Sequence, residues 1–198
     1  MIPEVILFAL LVGWLAGGKF QRLADAKIKF GWMIFLPFGL YLVSLVPALL
    51  RLPLYCGISN IFERIVFLFV SISNWRKPGM LLITIGLLMN LAPILANGGM
   101  MPADPQSMTA AFGEQYVEQA KTALHTRSKI MDTTTELGFL CDIIAAKRPF
   151  VLAPAVYSVG DLVMSIGIFI TIIALMRTPL PDEVDAPAKE AAVETLRE

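Results

Sequence analysis

Asp142 and Asp161 are the residues of this chain whose type is best suited to acid–base chemistry. Two carboxylates held close share a proton, because like charges at short range cannot both ionise, and such a dyad can activate water for hydrolysis. Asp161 also has a plainer reading. It stands at the start of the last apolar run, where a carboxylate complements the positive end of a helix dipole. Glu63 and Arg64 lie inside another apolar run, and ionisable groups at membrane depth mark interior sites or pathways when they do not snorkel to the surface. Adjacent side chains leave a helix about 100° apart, so the two are expected to find separate partners.

Asn90 and Asn97 complete the polar candidates. With Gly86 and Pro93 they fall at i, i+4, i+7 and i+11, which puts all four on one helical face. Asn90 is expected to hydrogen-bond across to another helix and Asn97 to terminate its own. In a transport reading, Glu63, Arg64, Asn90 and Asn97 would be the polar path. No metal or other cofactor is expected: His125 stands alone, and Cys56 and Cys141 are too far apart in sequence to form a ligand-spaced cluster. His125 reads as a solvated residue of an outer helix. The two cysteines fall on the same outer side, where they are either free buried thiols or a disulfide, provided their Cα atoms come within about 7 Å. Phosphate loops, nucleophile elbows and haem histidine pairs are absent from the sequence.

The elements that must position these residues are apolar runs: Ile2 to Gly18, Gly31 to Leu50, Leu54 to Trp75, Met80 to Ala96 and Tyr157 to Met176. Each is close to the roughly 20 residues a helix needs to cross the hydrocarbon core. Hydrophobic residues make up 57% of the chain and charged ones 16%, a composition outside the soluble range. The fold class expected is therefore all-α, a five-span membrane bundle over residues 1–178. Acids and bases balance at sixteen each, so net charge suggests no nucleic-acid partner. Their distribution gives a topology. Lys19, Arg22, Lys27 and Lys29, then Arg76 and Lys77, then Arg177 fall in segments on one side of an alternating path, and Lys and Arg are retained in the cytoplasm. The N-terminus is then outside and the C-terminus inside, with the first run a retained span rather than a signal peptide.

Small residues supply packing seams, Ala9, Gly13 and Gly17 in the first run and Gly160, Gly167 and Ala174 in the last. Pro37 and Pro47 are expected to kink the second. The paired glycines of Asn97-Gly98-Gly99 force a sharp exit from the fourth. The stretch from about 97 to 156 is too polar to span. It is expected to hold an amphipathic outer helix from Gln106 to about Ile130 and a short docking segment, Leu137 to Ile144. Residues 179–198 read as a disordered cytoplasmic tail.

Three segments, Asn97-Gly98-Gly99-Met100-Met101-Pro102, Leu140-Cys141-Asp142-Ile143-Ile144 and Ser158-Val159-Gly160-Asp161-Leu162-Val163, resemble the signature segments of a family of small bacterial integral membrane proteins known only as a domain of unknown function. The chain departs from that pattern at Met100 and Cys141. The resemblance implies a bacterial plasma-membrane protein and lends no activity. The reading of the whole is a non-catalytic membrane component, an accessory or structural subunit of a larger complex, with the lipid bilayer and other membrane helices as partners. The alternatives are a small transporter or channel and a membrane-embedded hydrolase using Asp142 and Asp161.

Overall fold

The computed structural model describes residues 2–44, 53–122, 128–148 and 151–179. Those residues are predominantly helical, with eight α-helices: α1 (Ile2–Leu15), α2 (Phe20–Ala24), α3 (Phe35–Ser44), α4 (Pro53–Ser73), α5 (Met80–Ala96), α6 (Pro105–Phe112), α7 (Glu114–Thr122) and α8 (Val159–Arg177). Among them α8 is long and apolar enough to cross a membrane. It is also the organising element. One side of α8 packs on α1 and the other on α5; α5 in turn packs on α4, and α4 on α3, so the described helices form a layer in that order.

The α5–α8 contact is close because both helices present glycine there. A Cβ on Gly86 would lie 2.6 Å from the Gly160 carbonyl oxygen, and one on Gly167 would lie 2.7 Å from the Gly79 carbonyl oxygen. The expected seam on α8 thus holds at Gly160 and Gly167, whereas Ala174 is only half-buried. On α1, Ala9 and Gly13 are buried as expected. Gly17 is not part of that face: it is exposed beyond the helix end with φ +80, where it turns the chain and leaves Gly18 to pack on Met176. Pro37 sits in the first turn of α3, after a 3₁₀ turn at Gly31–Ile34.

The layer has two distinct ends. At one, the Lys19 amide donates to the Met176 carbonyl (2.9 Å), the Arg22 guanidinium to the Arg177 carbonyl (3.2 Å), and the Asn74 side chain holds the Lys29 backbone through both its N–H and its C=O (2.9 Å each). All seven basic residues used above to assign the topology gather there. The opposite end is covered by a cap made of the described residues between 97 and 158. Gly98 and Gly99 adopt φ of +72 and +85 and turn the chain out of α5, as their sequence predicts.

Two expectations are corrected in the cap. First, the described residues are not all-α. Met101–Ala103 (β1) pairs in parallel with Ser128–Ile130 (β2), and Ile144–Ala146 (β3) pairs antiparallel with Ala155–Tyr157 (β4). Second, the helix expected from Gln106 to Ile130 is interrupted. Gly113, at φ +93, separates α6 from α7, and Ser128 to Ile130 is strand. Of the apolar residues expected on one face of that helix, Met108 enters a small core with Ala103, Val117, Ile130 and Val156, whereas Phe112 and Tyr116 are exposed and stack on each other. Pro47, His125 and the tail beyond Pro179 lie outside the described residues.

Candidate functional site

A polar cavity of about 160 Å³ lies where the cap meets α4, α5 and α8, lined by Asn60, Glu63, Arg64, Asn90, Met101, Ser128, Asp142 and Asp161. Each wall is placed by a local device. Asn60, Glu63 and Arg64 are at i, i+3 and i+4 on α4 and therefore share a face. Asn60 is 4% exposed, and its amide donates to the Gly99 carbonyl (3.1 Å), which fixes the chain leaving α5 against α4. The approach is tight enough that a Cβ on Gly99 would sit 2.7 Å from the Gly57 Cα.

Asp161 enters from the first turn of α8. Its backbone N–H donates to the Ser158 hydroxyl (3.0 Å), and one carboxylate oxygen accepts from the Ser158 N–H (3.1 Å), a reciprocal capping box. The other oxygen accepts from the Asn90 amide (2.7 Å), while the Asn90 carbonyl oxygen accepts from the Ser158 hydroxyl (2.7 Å). Asn90 therefore cross-links α5 to α8, as its position predicts. The helix-start role of Asp161 is also realised, and the same carboxylate still forms part of the cavity wall.

Asp142 is held by backbone pairing on both flanks. Its N–H donates to Pro102 O (3.0 Å), its carbonyl accepts from Asp104 N–H (2.8 Å), and the next amide, Ile143, donates to Tyr157 O (3.1 Å). Asp104 also caps α6 by accepting from the Ser107 N–H (2.7 Å), and the Ser107 hydroxyl donates to Ile143 O (2.7 Å). The segment is thus clamped between β1 and β4 with its side chain toward the helices. Among the described residues no hydrogen bond or ion pair reaches the Asp142 carboxylate. Burial pushes its pKa up to about 7, the Asp161 charge pushes in the same direction, and Arg64 opposes them.

Glu63 and Arg64 require a correction. They pair with each other, Arg64 to Glu63 at 3.1 Å, with side chains 24% and 22% exposed. Their Cβ vectors diverge, but both side chains are long enough to turn back along the cavity wall. Asn97 is a second departure from the proposed path. It is the C-cap of α5, donating to Pro93 O (2.8 Å) and Glu136 O (2.9 Å) and accepting from the Glu136 N–H (3.1 Å), and it does not line the cavity. Cys141 is free and buried, its thiol directed at Leu137 O (3.5 Å); the side chain of Cys56 is outside those described.

The cavity thus unites five of the six candidates read from sequence and adds Asn60, Met101 and Ser128. Asn60 was accessible through its helical spacing to Glu63 and Arg64; Ser128 carries no sequence signal, because a three-residue strand has no periodicity to read. Among the described residues no group of three His, Cys, Asp or Glu side chains converges closely enough to hold a metal ion. A larger groove of about 590 Å³ beside the far half of α8 is walled by Phe169, Ile170, Ile173 and Ala174, with Arg177 at its edge, and offers no comparable set of polar groups.

No curated protein and no solved structure matches this chain. A family model does match residues 25–173, which include every residue of the cavity, and the chain therefore belongs to DUF5317, a family of unknown function.

Proposed function

We propose that this protein is a multi-pass component of the bacterial plasma membrane that receives a small polar ligand at its outer face. The spans are α1, the segment beginning at Gly31, α4, α5 and α8, with the cap and N-terminus outside and the C-terminus in the cytoplasm. The membrane setting is supported by an inverted distribution of polarity. On α4 the exposed residues Ile58, Phe62, Ile65, Phe69 and Ile72 form one stripe, while Ser59, Asn60 and Ser71, and Asn74 just beyond the helix, are buried. Leu81, Ile85, Leu88 and Leu95 on α5, and Leu162, Ile166 and Ile170 on α8, extend the apolar exterior. In water such stripes would be a large unsatisfied surface; against lipid or partner helices they cost nothing. The basic end opposite the cap supports the orientation.

The observation that carries the ligand reading is the cavity itself, where the Asp142 carboxylate faces Asp161 and a partly engaged Arg64 beneath a cap. The role is one of non-catalytic binding, alone or as an accessory subunit of a larger complex whose helices share the apolar face. Hydrolysis by the aspartate pair is less favoured, because both Asp161 oxygens already accept hydrogen bonds. Single cysteines test this reading in a background where Cys56 and Cys141 are serine. Thr133→Cys in the cap and Ser128→Cys in the cavity should react with an impermeant thiol reagent on intact cells, and Ala24→Cys only after permeabilisation. The reverse pattern would overturn the orientation, and an inert Ser128→Cys the outward-facing cavity.

A further inference from the structure

Two groups in the cavity have hydrogen-bonding capacity that the described protein does not use. The Asp142 carboxylate accepts no hydrogen bond among the described residues. Arg64 spends one edge of its guanidinium on Glu63 at 3.1 Å, and its other N–H groups have no partner there. The two attract each other electrostatically, yet no ion pair joins them among the described residues. An acceptor and a donor of opposite charge therefore face one space without meeting. On the acceptor side Asp161 adds a second carboxylate, held in place by Asn90 and Ser158.

That arrangement selects among ligands. A single metal ion is a poor fit, because among the described residues no third His, Cys, Asp or Glu side chain joins Asp142 and Asp161 in a metal-binding group. A lone anion would meet the acidic wall, and a lone cation would leave Arg64 unused. A cavity of about 160 Å³ is well below the roughly 300 Å³ at which pockets for drug-sized ligands begin, which limits the occupant to a few heavy atoms. We propose that the cavity binds a small zwitterion of the α-amino-acid type, its ammonium between Asp142 and Asp161 and its carboxylate on Arg64. The proposal rests on the outward-facing binding reading above and names the ligand class for that site. Charge-assisted hydrogen bonds at both ends supply recognition, and the planar guanidinium suits a carboxylate.

The test uses the full chain in lipid nanodiscs, with glycine and L-alanine as zwitterions, methylamine as the cation alone and acetate as the anion alone. Binding is measured by titration calorimetry and by protection of Ser128→Cys from thiol labelling. The zwitterions should bind about tenfold or more tightly than either half-ligand, the effect of one lost charged hydrogen bond. Asp142→Asn should weaken glycine and spare acetate, whereas Arg64→Gln should weaken glycine and spare methylamine. Unfolding temperature, followed for each variant, separates lost binding from lost folding. Equal binding of methylamine and glycine, or no binding of any probe to a folded protein whose Ser128→Cys form is labelled from outside, overturns the zwitterion and leaves the outward cavity standing. If Ser128→Cys is not labelled, the outward cavity itself is rejected.

Discussion

Around Gly86 the helices meet through backbone, glycine and hydrogen-bonded polar side chains together with Met164, while Ile85, Leu88, Leu162 and Ile166 point outward. In the cap the order is reversed: Met108, Val117 and Ala103 turn inward on Ile130 and Val156, while Glu114, Gln115, Glu118, Asp132 and Thr133 are exposed. On the membrane reading proposed above, the difference lies in what surrounds each region. In water, burying apolar area drives assembly. Between helices already surrounded by apolar surface that drive is lost, and close backbone approach with interhelical hydrogen bonds takes its place. The cavity sits where the cap meets the helices.

The comparison can be broken first at its tightest point. Gly86→Ala places a methyl group 2.6 Å from both the Gly160 carbonyl oxygen and the Met164 nitrogen, backbone atoms that cannot rotate away. It should destabilise the protein by about 3 kcal/mol or more, seen as lost accumulation and a lowered unfolding temperature in detergent. Wild-type stability would mean that the α5–α8 contact is not tight. Met108→Ala tests the cap by the opposite mechanism, a cavity in an apolar core, and should cost about 3 kcal/mol. Its signature is local: limited proteolysis should open the cap between α6 and β2 while α5 and α8 stay protected.

At the boundary, the pH dependence belongs to Asp142. Its pKa in the folded protein is raised from 3.8 to about 7, so the folded state holds a proton that the unfolded state has released. This contribution to stability is fully present below the unfolded pKa and is lost as pH rises through 7. A shift of that size carries at most roughly 4 kcal/mol, and the carboxyl's partial solvent contact brings the expected loss between pH 4 and 8 to about 2 kcal/mol. Asp142→Asn should flatten that slope, and identical slopes for the two proteins would remove Asp142 as its source. The smallest effect is expected on the exterior of the layer. Ile65→Ser, at a site 51% exposed, should change detergent stability by less than about 0.5 kcal/mol. A marked loss of a copurifying protein in that variant would instead place a partner helix on the α4 stripe.

The sequence by itself determined α1, α4, α5 and α8, because runs of apolar residues admit few other structures at that length, whereas the run from Gly31 opens on a 3₁₀ turn before α3. The run from Met80 to Ala96 matches α5 residue for residue. It also determined the buried stripe from Gly86 to Asn97, the cross-helix bond of Asn90, and the turn at Gly98 and Gly99, each a consequence of local spacing or of the left-handed backbone that glycine permits. The tertiary structure alone decided the break at Gly113, the pairing of β1 with β2, and the return of Arg64 onto Glu63. It also decided that Asp142 and Asp161 share one cavity while Asn97 stays outside it. The physical reason is the range of the forces involved. Helical periodicity is written in neighbours three and four residues apart, whereas three-residue strands take their register from partners far along the chain, and it is that register which carries Asp142 and Ser128 to the helices.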